Sequence, residues 1–221
     1  GHEGMRSSLV RREVIADSVE LSIRGHSYEA LVGIAGCDKS LPGMMMAMLR
    51  LNIPSVFLYG GSIMPGSFEG KDVTVLDVFE AVGAHAAGSN EMTEDKLTAL
   101  EKVACPGDGA CGGQFALPYS SALPAPYTDR DGYAKASGQV VMDLIQNNLR
   151  PRDICTRQAF ENAAIVVAAT GGSTNAALHL PAMANECGVE FSLRHVAETF
   201  QRTPFIADLK PGGNYVAKDM G

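Results

Sequence analysis

The hydrophobic positions along the chain fall into two patterns, short continuous runs and helically spaced positions. Residues 30–35 and 54–59 are apolar runs that end at glycine, which is typical of buried strands. Apolar residues three to five apart over 7–24, with Gly25 as a stop, predict a helix. We predict further helices over 42–51, 74–85, 93–104, 133–149 and 157–169, and one that runs from the loop 171–175 to Glu186. A last short strand is predicted at 205–207.

Strands that alternate with helices indicate an α/β fold. Because the strand runs are apolar throughout, we predict a three-layer α/β/α domain with a mainly parallel sheet covered on both faces. The segment 165–167 alone could also form a strand. Residues 117–131, rich in Pro, Ser, Tyr and Asp, are predicted to be an extended surface loop.

The composition narrows the class of protein. The 221 residues include 18 Lys and Arg against 25 Asp and Glu, a formal charge of −7, which argues against a basic nucleic-acid binder. No stretch of eighteen apolar residues exists in this sequence, so no membrane span is predicted. The number of cysteines, five, is odd, which argues against a disulfide scaffold and favours a reducing compartment. The absence of a C-x-x-C pair from the sequence argues against a zinc finger.

Glycine pairs mark where a site could be built. Four pairs flank apolar runs, a pattern of loops that turn sharply or approach a ligand closely, although ordinary turns would also use them. The pairs are Gly60-Gly61, Gly112-Gly113, Gly171-Gly172 and Gly212-Gly213.

The residues Cys37, Asp38 and Lys39 follow the first predicted strand. Ligands of open α/β sheets bind beyond the carboxyl ends of the strands, and a thiol beside a carboxylate offers soft and hard metal ligands together. The alternative is that Cys37 is a small buried hydrophobe, with Asp38 and Lys39 forming a helix cap and a solvated charge.

The loop from Cys105 to Gly113 places two cysteines six residues apart among glycines. Thiolates are the usual ligands of iron–sulfur clusters, so the loop is a candidate cluster site. The alternative is a glycine-rich turn whose two thiols bind nothing. Asp108 is expected to be a turn residue rather than a metal ligand.

The segment 171–175, Gly-Gly-Ser-Thr-Asn, opens a predicted helix, where free N–H groups and the Ser173 and Thr174 hydroxyls could hold a carboxylate. A plain helix N-cap is the competing interpretation. No histidine stands at metal-binding spacing from another, so structural roles are expected for all five. Hydrolase, P-loop and dinucleotide motifs are absent from the sequence.

Residues 36–43 (GCDKSLPG) and 105–113 (CPGDGACGG) resemble the two signature segments of the dihydroxy-acid dehydratase / phosphogluconate dehydratase family. The resemblance extends in order along essentially the whole chain. Its supporting stretches are residues 2–6, 59–62, 150–154, 171–175 and 207–211.

The resemblance implies a magnesium-dependent iron–sulfur hydro-lyase that converts a 2,3-dihydroxy acid into a 2-oxo acid. In the family, residues matching Cys37 and Cys111 ligate the cluster, the one matching Asp38 binds Mg²⁺, and the one matching Lys39 binds it as a carbamate. Cys105 matches a cysteine that is not a ligand. The cluster is expected to be 2Fe–2S, with 4Fe–4S as the alternative.

The segment 36–43 is most similar to the dihydroxy-acid dehydratase branch of the family, which implies a substrate such as 2,3-dihydroxyisovalerate in branched-chain amino-acid biosynthesis. Sugar-acid dehydration, of an aldonate or phosphogluconate, is the runner-up, and an inactive fragment acting as a binding module is the alternative of another class. Relatives imply a homodimer, located in the cytoplasm of a bacterium or in an organelle of a eukaryote.

The sequence also departs from the family pattern. We expect residues 1–221 to be a partial N-terminal domain, with cut edges at Gly1 and Gly221 and a missing segment between 115 and 116. The third cluster cysteine, a further Mg²⁺-binding Asp and the C-terminal barrel domain with its Glu ligand and Ser base are not in this sequence. We therefore assign no catalytic base here and expect the fragment alone to be inactive.

Overall fold

Two parallel strands joined by a helix form the centre of the described fold. The computed structural model describes residues 3–62, 64–104, 116–117, 119–121, 123–171, 174–209, 213–215 and 219. Strand β1 (Leu31–Ala35) pairs with β2 (Ser55–Tyr59) in parallel, from Leu31 opposite Ser55 to Ala35 opposite Tyr59. Helix α2 (Ser40–Leu51) connects them, which makes a βαβ unit.

The remaining described elements are helices and one small hairpin. A 3₁₀ turn at Glu3–Ser7 precedes α1 (Val10–Gly25), and β3 (Gly66–Phe68) pairs antiparallel with β4 (Lys71–Val73). The later helices are α3 (Val75–Ala86), α4 (Glu94–Val103), α5 (Arg130–Gln146), α6 (Pro151–Ile154), α7 (Arg157–Ala169), α8 (Thr174–Glu186) and α9 (Leu193–Arg202).

The main core is built around α2. Its Leu41, Met45 and Met48 are fully buried and cluster with Phe57 of β2 and Phe160 of α7. Methionine fills irregular gaps between elements, which suits a helix that contacts α1, α8 and both strands. A second, smaller cluster holds β4, α3 and α4 together through Val73, Ala81 and Leu100.

Helices cover the strand pair unequally. All five residues of β2 are buried, and α5 packs along this strand. In β1, Gly33 and Ala35 are buried whereas Val32 and Ile34 are 39% and 64% exposed, so this strand is covered on one face only by the described residues. The prediction that both strands are buried throughout is therefore right for β2 and wrong for β1.

Most predicted elements are confirmed, with boundaries shifted by up to three residues. The α/β class is confirmed, with a small parallel sheet and many helices. Residues 165–167 belong to helix α7. Pattern reading missed the 66–73 hairpin and the separate helices α6 and α9. In the part of the chain that the structure describes, no helix has the length and apolar character needed to cross a membrane.

Two sequence predictions are wrong. Residues 205–207 form no strand, because the N–H groups of Ile206 and Ala207 both donate to the carbonyl of Ala169 at the end of α7. The segment 117–131 is a series of turns rather than an extended loop in its described part, and Ser120 and Pro124 are fully buried.

The reason for the compact 117–131 segment lies in Arg130. Its guanidinium donates to the carbonyl of Leu123 at 3.1 Å and to that of Tyr59 at the end of β2. These contacts, with the bridge between Ser62 and Pro124, hold the turns against the sheet, and α5 begins at Arg130 itself.

Candidate metal and substrate site

The two parallel strands end at glycines that lie against each other. The Gly60 N–H donates to the Ala35 carbonyl at 2.7 Å, and a Cβ built on Gly60 would lie 3.2 Å from the Gly36 Cα. Any side chain at Gly60 would therefore push the strand ends apart. The chain leaves β1 at this point, so residues 37–39 begin at the carboxyl edge of the sheet, where ligands of such folds bind.

Hydrogen bonds fix the 37–39 loop to the start of α2. The Cys37 N–H donates to the Ser40 hydroxyl at 3.1 Å, and that hydroxyl donates to the Cys37 carbonyl at 3.1 Å. The Leu41 N–H also donates to this carbonyl at 3.0 Å. Cys37 is thus held by hydrogen bonds to the first two residues of α2.

The Cys37 thiol lies at the surface beside a carboxylate. Cys37 is exposed, and its Sγ–H donates to Asp38 Oδ1 at 3.4 Å. This finding contradicts the alternative in which Cys37 is a buried hydrophobe. A sulfur ligand and an oxygen ligand therefore face the same open side of the loop.

Lys39 is a buried cation. Its side chain is 9% exposed, and its Nζ donates to Asp38 Oδ2 and to Asn175 Oδ1, both at 2.9 Å. The alternative of a solvated Lys39 charge is therefore wrong. Burial alone would raise the pKa of Asp38, but the hydrogen bond and positive charge of Lys39 outweigh it and hold that pKa below its ordinary value.

Asn175 comes to Lys39 from 136 residues further along the chain, at the start of α8. The preceding Gly171 has a φ of +112° and packs so closely on the Leu209 carbonyl that a Cβ would lie 2.6 Å from its oxygen. Only glycine adopts this backbone readily, so Gly171 sets how the chain enters α8. Thr174, the first residue of α8, is exposed beside Asn175.

His179 lies one turn beyond Asn175 on the same face of α8. It is 2% exposed, and its Nδ1 is 3.0 Å from an Nη1 of Arg12 on α1. Burial lowers the pKa of His179 to about 4, and the positive charges of Lys39 and Arg12 add to this effect. His179 is therefore a neutral imidazole, one turn from the asparagine that binds Lys39.

The donor set fits a divalent cation if Lys39 is modified. As an ammonium, Lys39 would repel a metal ion from Asp38, whereas a carbamate on Nζ would place two anionic oxygen groups side by side. Such a pair needs a cation to be stable. Among the described residues no three His, Cys, Asp or Glu side chains converge, so these residues do not form a complete metal site by themselves.

The structure brings Asn175 to Lys39, beside Cys37 and Asp38, and Thr174 is the residue before Asn175. Cys111 and Ser173, and with them Cys105, lie outside the described residues. Sequence reasoning missed Asn175 and His179 as site residues, although their spacing of four on a helix could have paired them. Of the other histidines, His85 bonds the Met92 carbonyl and His195 caps α9, which are the structural roles predicted for them.

Comparison with known proteins points to one family. Residues 1–221 match the family described as dihydroxy-acid/6-phosphogluconate dehydratase, N-terminal. Over 234 aligned positions the chain is 66% identical to dihydroxy-acid dehydratase of Parvibaculum lavamentivorans, 65% to that of Pelagibacter ubique and 50% to that of Natronomonas pharaonis. Each alignment covers 100% of this chain and 40%, 41% and 39% of the relative, so the chain spans about two-fifths of their length.

Proposed function

Because this chain belongs to the dihydroxy-acid/6-phosphogluconate dehydratase family, we propose that its complete protein is a dihydroxy-acid dehydratase. This hydro-lyase removes water from a 2,3-dihydroxy acid, such as 2,3-dihydroxyisovalerate in branched-chain amino-acid synthesis, and yields the 2-oxo acid. The observation that carries the proposal is the identity of 66% and 65%, along the whole chain, to relatives named dihydroxy-acid dehydratase.

We propose that Cys37 and Cys111 bind an iron–sulfur cluster and that Asp38 and a carbamylated Lys39 bind Mg²⁺. The exposed Cys37 thiol supports the first assignment, and the Asp38–Lys39 contact supports the second. When bound, the iron supplies a Lewis acid for the departing hydroxide, and Mg²⁺ stabilises negative charge that develops on the substrate oxygens.

The electrostatics of α2 support an anionic Lys39. The N-terminus of a helix carries a partial positive charge, which favours anions and disfavours cations. Lys39 immediately precedes the first residue of α2. The Lys39 ammonium first loses one proton, and the neutral Nζ then forms a bond to the carbon of CO₂ with loss of a second proton, so an unfavourable cation of charge +1 is replaced by a favourable anion of charge −1.

The chain's own residues hold the reacting groups in place. Asn175 accepts from the Lys39 Nζ at 2.9 Å, and the hydrogen bonds between Ser40 and Cys37 hold the start of the loop against α2. We propose that Ser173, Thr174 and the N-terminal end of α8 bind the substrate carboxylate, because a helix N-terminus favours anions. The group that takes the C2 proton is expected elsewhere in the complete protein, and none of the described residues is assigned to it.

A missing internal segment belongs to the same proposal. The alignments extend over 234 positions against a chain of 221 residues, so at least thirteen positions of the relatives stand opposite gaps in this chain. We propose that these positions form the missing segment between 115 and 116, where the family resemblance is interrupted. A 2Fe–2S cluster, a homodimer and a cytoplasmic location (an organelle in a eukaryote) are further parts of the proposal and rest on resemblance.

The test is an anaerobic activity panel on the complete protein with Mg²⁺, comparing 2,3-dihydroxyisovalerate with C5 and C6 aldonates. We expect 2-oxo acid formation with the dihydroxy acid to exceed that with either aldonate. Preference for an aldonate would identify a sugar-acid dehydratase instead. Colourless protein prepared without oxygen, with no turnover of any substrate, would support a binding module.

The role of Cys37 is tested separately by Cys37→Ser. The variant should lose the visible absorption of the cluster and the activity together, while its cluster-free form should unfold at the same temperature as cluster-free wild type, since the thiol is exposed. Cys187→Ser is the matched control, because its sulfur lies in the hydrophobic core region away from the loop. A coloured, active Cys37→Ser protein would contradict the assignment.

A further inference from the structure

The Arg12–His179 contact determines which nitrogen of the imidazole carries a proton. A guanidinium has only donors, and Arg12 Nη1 lies 3.0 Å from His179 Nδ1. Nδ1 must therefore accept, which leaves the proton of the neutral ring on Nε2. Arg12 is itself held by Glu13, at 2.6 Å from Nη2, and by the Leu178 carbonyl at 3.4 Å.

The Nε2–H of His179 is a buried donor without a partner among the described residues. Buried polar groups are almost always hydrogen-bonded, so an unpaired one indicates an acceptor that the described residues, unmodified, do not supply. The histidine is 2% exposed, which leaves little room for bulk water to satisfy this N–H. The missing partner must be an acceptor.

The position of the ring indicates where that acceptor arises. His179 follows Asn175 by one turn on α8, and Asn175 accepts from Lys39 Nζ at 2.9 Å. His179 therefore lies on the face of α8 from which Asn175 reaches Lys39. An ammonium offers no lone pair, so unmodified Lys39 cannot satisfy Nε2–H. A carbamate on the same nitrogen would add two acceptor oxygens.

We propose that His179 is a positioning residue for the anionic form of Lys39, with its Nε2–H donating to an oxygen of the carbamate. This inference rests on the proposed function, because it requires Lys39 to be carbamylated. Arg12 then acts through His179 by holding the imidazole in the tautomer that can donate. The buried pair thereby selects an anion over an ammonium on Lys39.

The test measures carbamylation directly in the complete protein, with ¹³C-labelled bicarbonate and carbon NMR of the carbamate. Two variants are compared with the wild type: His179→Leu removes the donor, and His179→Gln keeps an N–H close to the position of Nε2. Losing a hydrogen bond to a metal ligand typically costs about 10–100-fold in metal affinity or activity. We expect His179→Leu to raise the CO₂ concentration for half-carbamylation at least about tenfold, and His179→Gln to restore it to within roughly threefold.

The outcomes separate this inference from the proposed function. Equal carbamylation in wild type and a folded His179→Leu protein would overturn the role of His179 and leave the dehydratase proposal standing. Equal loss in both variants would show a packing role only and would also overturn it. A wild-type protein without carbamate at any CO₂ concentration would overturn this inference and the Lys39 assignment together. Nitrogen-15 NMR of the His179 ring gives an independent measurement, and an Nδ1–H tautomer would contradict the proposal.

Discussion

Helix α2 has a largely buried cation at each end, and the two cations differ in the number of anionic groups around them. Arg50, in the last turn, meets four carboxylates: Glu186 at 2.9 Å, Asp17 at 2.6 Å, Glu13 at 3.3 Å and Glu20 at 3.7 Å. Lys39, just before the first turn, meets one carboxylate and one amide oxygen. Arg50 is therefore saturated with anions, whereas Lys39 is not.

The helix dipole increases this difference. A cation is favoured at a helix C-terminus and disfavoured at an N-terminus. The hydrogen bond from Arg50 to Glu186 accordingly keeps the pKa of Arg50 above its ordinary value, even though burial acts in the opposite direction. The comparison shows that Arg50 joins three helices through several carboxylates, whereas Lys39 bonds one carboxylate and Asn175, which lies one turn before His179, whose Nε2 has no partner among the described residues.

The largest expected effect is on catalysis at the Lys39 end. Lys39→Arg keeps a positive charge but cannot form a carbamate, so Mg²⁺ would lose a ligand. Because a Lewis acid lowers the activation barrier by several kcal/mol, we expect kcat of the complete protein to fall by about 10³-fold when a ligand of that metal is lost. Steady-state kinetics with thermal unfolding as the folding control measure this. If the Lys39→Arg variant retained more than a tenth of the wild-type activity, Lys39 would have a structural role, as Arg50 does, and the carbamate assignment would be wrong.

Thiol reactivity should also distinguish the two ends. Cys37 is exposed, whereas Cys155, which follows α6 near the end of α2, is 1% exposed. Hydrogen bonding to Cys187 and burial raise the pKa of Cys155, so little of it is in the reactive thiolate form. In cluster-free protein we expect iodoacetamide to modify Cys37 at least about a hundredfold faster, since Cys155 must wait for local opening.

Peptide mass spectrometry measures the two thiols separately. Cluster reconstitution should slow the labelling of Cys37 and leave that of Cys155 unchanged. Similar rates at both cysteines before reconstitution would contradict the burial of Cys155 near the Arg50 end.

The free energy of unfolding should depend on pH through His179, the buried imidazole near the Lys39 end of α2. His179 titrates near 6.5 when unfolded and at about 4 when folded, so the unfolded chain takes up the proton first as the pH falls. Stability that is present above pH 6.5 is therefore lost between about 6.5 and 4, by about 2–3 kcal/mol. Urea unfolding at pH 7 and 4.5 measures this loss. His179→Gln should remove that part of the dependence, and an unchanged slope in the variant would assign the loss to other groups.

The Arg50 end should affect stability alone. Arg50→Met leaves Glu186 and its neighbours without their cation, and we expect a loss of about 2 kcal/mol in the free energy of unfolding with kcat unchanged. The matched control is Arg24→Met, which breaks the exposed pair with Glu20 at 2.8 Å and should cost about 0.3 kcal/mol. Urea unfolding of both variants gives the values. Equal losses would mean that the Arg50 cluster contributes no more than one surface pair.

Local patterns predicted the local elements well, because helix spacing and apolar runs depend on residues close in sequence. Helix α7 is an example, since its predicted range 157–169 agrees with Arg157–Ala169. The predicted strand at 205–207 failed because a strand needs a partner, and Ile206 and Ala207 instead bond the end of α7. The partners of an N–H group are a tertiary property that three apolar residues do not reveal.

The candidate site divides in the same way. Cys37, Asp38 and Lys39 were predicted as site residues because they are consecutive and follow a strand. Their burial was not predictable, since the same three residues are compatible with a hidden thiol and a solvated lysine. The structure shows the reverse, since Cys37 is exposed and Lys39 is buried.

The sequence by itself determined the α/β class, the family and the loop that carries the candidate ligands, because each of these depends on residue types at short, readable spacings. Only the tertiary structure brought Asn175 across 136 residues to Lys39 and set Arg12 against His179. The physical reason is that burial, ion pairing and the tautomer of an imidazole are fixed by neighbours from distant elements. Those neighbours meet only when α1, α2 and α8 pack together.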